Sequence, residues 1–257
     1  MPKVIAVAGK GGVGKTTIGG MLVRYLLELI HNGPVLAVDA DPNSNLNEVL
    51  GVNVNATIGQ VRELMKMDVP AGMTKDVWVE YEIQKAVIEA KGFDLLVMGR
   101  PEGAGCYCAA NSLAKQSIDA LKKNYAYVIV DNEAGMEHMS RLVTQDVDIL
   151  YIISDATPRG LLTASRIFGL IGELKLNILT THILINGLKE NDDGQLLRGI
   201  AAQKGMNVAG VVRDDREVRT KDAEGKSVFE LTGSNLALAD VYAIFEKTIR
   251  DPLNHNR

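Results

Sequence analysis

The residues best suited to do chemistry stand near the start of the chain. Gly9-Lys10-Gly11-Gly12-Val13-Gly14-Lys15-Thr16 fits the spacing G-x-x-x-x-G-K-[ST], between an apolar, β-branched run at residues 4–8 and a helical pattern at residues 18–30. Strand, glycine loop and helix in that order are the context this motif requires. Glycines let successive backbone N–H groups point inward around phosphate oxygens, where a Cβ would clash. The helix N-terminus adds its partial positive charge. In such a loop Gly9, Gly11, Gly12, Val13 and Gly14 supply the backbone cradle. Lys15 reaches the β- and γ-phosphates, the Thr16 hydroxyl sits on Mg²⁺, and Thr17 is placed to touch the α-phosphate.

Carboxylates follow at the ends of two further apolar runs. Residues 35–38 read as a buried strand ending in Asp39-Ala40-Asp41-Pro42, and residues 127–130 as one ending in Asp131-Asn132-Glu133-Ala134-Gly135. Groups at the carboxyl ends of parallel strands face the crevice where a ligand binds. An apolar strand closing on Asp is also the pattern that holds Mg²⁺ through water, which points to Asp131. The chain has two cysteines, Cys106 and Cys108. In an extended backbone they project to one side, roughly 6.5 Å apart, which suits two ligands on one metal. A disulfide ring that small would be strained. Thiolates favour zinc, copper(I) or iron–sulfur, and zinc takes four ligands, so one such pair is half a site. Glycines before the pair and polar residues after it argue against two buried cysteines packing as small hydrophobes.

The elements that must position these groups alternate along the chain. After residues 93–98, a strand, come a helix over residues 109–123 and strands over 148–154, 178–185 and 207–212, with Thr157-Pro158 opening another helix. This alternation predicts a single α/β domain, a mainly parallel sheet with helices on both faces, spanning residues 1–257. Residues 43–92 are read as a helical insertion over one face of the sheet. Trp78 there reads as packing rather than function and is given no role, and His31, His182 and His255 read as solvated or packing residues. A chain of 257 residues, 46% hydrophobic, buries enough core to need no disulfide for stability. Its net charge of −4 disfavours a nucleic-acid coat or an anionic membrane as partner. No basic and apolar leader opens the sequence and no run of about 18 apolar residues interrupts it, so a cytoplasmic protein is expected.

K-G-G-V-G-K-T-T resembles the deviant Walker A motif of the dimeric ATPases related to the nitrogenase iron protein, the septum-site ATPases and the partition ATPases. That resemblance implies a homodimer in which Lys10 reaches the phosphates of the partner's ATP. D-A-D-P resembles the family's first switch, so Asp41 would orient the attacking water or the Mg²⁺ shell, with Asp39 beside it. D-N-E-A-G resembles the second switch, where Gly135 would let the loop respond to the γ-phosphate. Asn186-Gly187 stands where the family reads adenine, and Arg213-Asp214-Asp215 after the last strand would flank the purine. P-E-G-A-G-C-Y-C-A-A-N is similar to the C-x-C segment of the CooC-type carbon monoxide dehydrogenase maturation factors, which include acetyl-CoA synthase accessory ATPases. Such a protein would use ATP/ADP and Mg²⁺. It would bind Ni²⁺ or Zn²⁺ on Cys106 and Cys108 from both chains, and serve a client nickel enzyme. Two alternatives stay open: an iron-protein-like electron-transfer ATPase with an interchain [4Fe–4S] cluster, and a positioning ATPase. The first lacks the second cysteine that its pattern places after Asp131, where only His138 is near. The second gives the C-x-C no purpose.

Overall fold

The structure is a computed structural model that describes residues 2–65, 69–100, 107–135 and 146–250, with the backbone alone at 107–111. Among them a sheet of eight strands runs in the order β3-β4-β2-β5-β1-β6-β7-β8. Its members are β1 (Lys3–Gly9), β2 (Val35–Ala40), β3 (Ile88–Glu89), β4 (Phe93–Val97), β5 (Tyr127–Asn132), β6 (Asp146–Asp155), β7 (Asn177–Leu188) and β8 (Val208–Arg213). All pair in parallel except β3, a two-residue edge strand antiparallel to β4. A strand so short carries no periodic signal, which is why the sequence did not announce it.

Both faces of the sheet are covered, so residues 4–8 of β1 are apolar in every position, and β2 and β5 turn polar only near their carboxyl ends, at Asp39, Asp131 and Asn132. On β1, Val4, Ala6 and Ala8 face one layer of helices, α3 (Ile58–Leu64), α4 (Lys75–Ala86), α5 (Tyr107–Leu121), α6 (Pro158–Glu173) and α7 (Gly194–Gln203). Ile5 and Val7 face the other, made by α1 (Lys15–Tyr25), α2 (Leu46–Leu50) and α9 (Leu236–Ile249). The short helix α8 (Arg216–Ala223) buries none of its residues and borders the crevice instead. α1 is shorter than its pattern: residues Leu26–Ile30 widen into a π-helical turn, which His31 ends in the left-handed region at φ 47°.

The 43–92 region does not stay over one face. Leu46 and Leu50 of α2 join the core on the α1 side, while Ile58, Val61 and Ile83 join the opposite core. Trp78 is buried in α4, as packing predicts. The extended backbone expected through the C-x-C pair fails at Cys108, the second residue of α5. Residues from 107 onward contain no helix breaker, and Leu113, Ala114, Ile118 and Leu121 repeat at helical spacing into the core. Cys106, His138 and His255 lie outside the described residues.

Candidate nucleotide site

The glycine loop leaves β1 at its carboxyl end, between β5 and β6, and delivers the chain into α1. Gly14 stands at the N-cap of α1 with φ 86°, and no side chain caps the helix, so its first N–H groups remain open to a ligand. A Cβ at Gly14 would lie 2.4 Å from Asn186 Nδ2, so glycine is required there for space as well as for φ. Asn186 donates from that nitrogen to the Val13 carbonyl at 2.8 Å, tying the end of β7 to the loop.

Two clefts meet over the loop, sharing Gly12, Gly14, Thr17 and Asp222. One, of about 500 Å³, is lined by Asn186, Val212, Arg213, Asp214 and Asp155. The other, of about 530 Å³, is lined by Gly11, Lys15, Thr16, Asp41, Ala134 and Lys226. Every expected site residue from Gly11 to Thr17, together with Asp41, Asn186, Arg213 and Asp214, lines one cleft or the other, whereas Lys10 lines neither. Gly9 sits beneath them in β1, where a Cβ would meet the Ile153 carbonyl at 2.5 Å. Lys10 is exposed, and its carbonyl accepts from Lys15 Nζ at 3.3 Å.

Three carboxylates converge behind Lys15. The register sets Asp39 of β2 directly beside Asp131 of β5, which in turn pairs with Val7 of β1. Asp39 is fully buried and spends its oxygens on backbone: Oδ1 accepts from Asp41 N at 3.1 Å and Oδ2 from Leu46 N at 2.9 Å. It therefore shapes the loop that carries Asp41. Burial, with the neighbouring Asp131 charge, pushes its carboxyl up to about 7. Asp131 is 1% exposed, and burial raises it to about 6 against the Thr16 hydroxyl and the Lys15 ammonium, which favour its charged form. Burial also lowers Lys15, while Asp131 and Asp41 oppose that shift.

The Asp131 Oδ1 atom is buried with no hydrogen-bond partner. An orphaned carboxylate oxygen beside a threonine hydroxyl is a donor set of hard oxygens, which fits Mg²⁺ and its water shell. By contrast, among the described residues no group of three or more His, Cys, Asp or Glu side chains is assembled to hold a metal. His182, expected in packing or solvent, rests against Tyr151 with ring centroids 5.9 Å apart. Its Nδ1 lies 3.2 Å from Asn207 Nδ2.

The flank expected of the purine is present but tied down. Arg213 grips Asp240 with two hydrogen bonds at 2.7 and 2.6 Å, and Asp214 pairs with Arg219. The sequence reading missed Asp155, another strand-end carboxylate that the same crevice rule would have flagged. It also missed Asn132, buried and donating to the Val7 carbonyl at 3.0 Å. Asp222, Gly225 and Lys226 reach the cleft only through the tertiary fold, so no local signal marks them.

A sequence model described as the CobQ/CobB/MinD/ParA nucleotide binding domain matches residues 4–228. The chain belongs to that family. An uncharacterised ATP-binding protein of Methanocaldococcus jannaschii is 42% identical over 251 residues, covering 96% of this chain and 98% of the relative. The carbon monoxide dehydrogenase accessory protein CooC of Rhodospirillum rubrum is 32% identical over 242 residues, covering 89% and 90%. Among solved structures, the cell division ATPase MinD of Pyrococcus furiosus superposes with TM-score 0.71 at 20% identity, over 97% and 99% of the two chains. The family's fold is therefore this fold, an ATP-binding P-loop architecture. No helix among the described residues is long and apolar enough to cross a membrane.

Proposed function

We propose that this protein is a homodimeric MgATPase that carries nickel, or zinc at rest, on Cys106 and Cys108 of both chains. It delivers nickel while a carbon monoxide dehydrogenase or acetyl-CoA synthase is matured in the cytoplasm. The observation that carries the nucleotide half is the cleft itself, where an open helix N-terminus, a buried lysine and an orphaned Asp131 oxygen converge. The C-x-C pair and the similarity to a carbon monoxide dehydrogenase accessory protein support the metal half. Neither a nucleic acid nor a membrane is needed as partner.

In this reading the α1 N-terminus and Lys15 neutralise the phosphates, and Thr16 with Asp131 would hold Mg²⁺, which would supply charge neutralisation for phosphoryl transfer. Asp41 orients the attacking water at the cleft mouth, and Asp39 keeps the Asp41 loop in place. Asn186 reads the base while holding the glycine loop, with Arg213 and Asp214 at the flank. Lys10, exposed and projecting from the loop, acts on the partner's nucleotide. Four thiolates, two from each chain, close the metal site in the dimer. Cys106→Ala combined with Cys108→Ala should abolish nickel binding and leave ATP affinity unchanged; metal content equal to that of wild type would refute the assignment.

A further inference from the structure

A chain of hydrogen bonds leads out of the cleft from Asp41. The carboxylate Oδ1 of Asp41 accepts twice from one residue: Asn43 N at 2.8 Å and Asn43 Nδ2 at 3.0 Å. The other end of that amide, Asn43 Oδ1, accepts from Arg100 Nη2. An amide nitrogen aimed at a carboxylate and an oxygen aimed at a guanidinium leave the Asn43 side chain one orientation. A half-turn would set oxygen against oxygen at Asp41 and nitrogen against nitrogen at Arg100.

Arg100 itself stands on a fixed base. It follows the exit of β4, where Met98 N donates to the Asp39 carbonyl at 2.8 Å and Gly59 N to the Met98 carbonyl at 2.8 Å. The Asp41 side is braced too, with Ser44 N on the Asp41 carbonyl at 3.0 Å and Ser44 itself in the left-handed region at φ 52°. Asn43 and Arg100 are both exposed. Exposed polar contacts contribute little to folding, so stability gives no account of this arrangement. Its geometric effect is specific. With Oδ1 held by two donors, Asp41 can present only its second oxygen to the cleft it lines with Lys15 and Thr16.

We infer that Arg100 and Asn43 are positioning residues for Asp41, which fix the carboxylate that addresses the water and so link the exit of β4 to the hydrolytic end of the cleft. This rests on reading the cleft as an ATPase site with Asp41 as its water-orienting group. A carboxylate free to rotate misplaces that water, and misplacements on the scale of an ångström cost up to about a hundredfold in rate. Loss of one of two tethers should cost less than that.

The test is steady-state MgATP turnover by the full chain, with nucleotide affinity measured separately by calorimetry. Arg100→Ala should lower kcat about tenfold while KM and the ADP dissociation constant stay at wild-type values. Arg100→Lys, which keeps a donor and the charge, should recover part of the loss. Asn43→Ala should fall at least as far, and adding Arg100→Ala to it should lower kcat no further. An unchanged kcat in Arg100→Ala, a parallel change in ADP affinity, or two losses that multiply in the double variant would each overturn the inference. If instead wild type binds ADP but does not turn over ATP, the ATPase reading fails before the positioning question arises, and the two failures are thereby told apart.

Discussion

Removing the charge of Asp39 should make the nucleotide-free protein less sensitive to pH, by an amount that follows from its burial. Asp39 is fully buried beside Asp131, and its carboxyl titrates at about 7 in the fold against an ordinary 3.8. A folded value above the unfolded one means that the fold favours the protonated form. The stabilisation is present in full below the unfolded value and is lost as pH rises through the folded one. Between pH 5 and pH 8 a single group with those two values loses about 3 kcal/mol, at about 1.4 kcal/mol per unit. For a domain of this size that corresponds to roughly 6–12 °C in Tm. Asp39→Asn is neutral throughout and should therefore show a flatter profile. It keeps one acceptor for either Asp41 N or Leu46 N and turns a donor toward the other, at a cost of about 1–3 kcal/mol. The variant should be the less stable protein at pH 5 and should match or exceed wild type at pH 8. Thermal unfolding in EDTA across that range reads both slopes. Parallel profiles for the two proteins would refute the assignment of the titration to Asp39.

Gly14→Ala forces a side chain into the left-handed region against Asn186 Nδ2, 2.4 Å away, and should lower Tm by roughly 3–8 °C. Calorimetry should also show weaker ATP binding, because the loop and the Asn186 tether move together. Lys15→Ala removes a buried ammonium that lines the cleft and, on the proposed reading, should weaken ATP about 30- to 100-fold in the same calorimetric titration, the worth of a charge-assisted contact. Lys10→Ala should leave ATP affinity of the single chain unchanged and abolish hydrolysis, which turnover measured over a range of protein concentration will detect.

The parts of the site that were legible are those written in contiguous residues. A glycine loop announces itself because backbone cradles need residues without a Cβ, and strand-end carboxylates announce themselves because parallel sheets open their crevice at one edge. Asp39 illustrates the limit of that rule. Its type and position marked it for chemistry, but its oxygens are taken by Asp41 N, two residues on, and by Leu46 N, a contact that exists only once α2 is docked. Arg213 illustrates the same limit from outside, since Asp240 arrives from α9 to claim it. The cleft wall at residues 222–226 was invisible, because nothing local to an exposed helix end records what it will face. At Cys108 a local rule was applied to the wrong element. The apolar spacing of Leu113, Ala114, Ile118 and Leu121 propagates helix back to Tyr107, beyond the point where the glycine-rich stretch suggested extended chain.

The central claim, a nucleotide-controlled metal site on two C-x-C pairs, is tested most directly by anaerobic metal stoichiometry. Purified protein would be loaded with Ni²⁺, freed of excess and analysed for nickel, iron and sulfide, without nucleotide and with ATP or ADP, beside the double cysteine variant. The account predicts about one nickel per dimer, since four thiolates complete one tetrahedral site. It also predicts that the double variant loses the metal and that nucleotide alters its occupancy. About four irons with sulfide per dimer would mark an iron–sulfur carrier instead, and metal content indifferent to Cys106 and Cys108 would contradict the account.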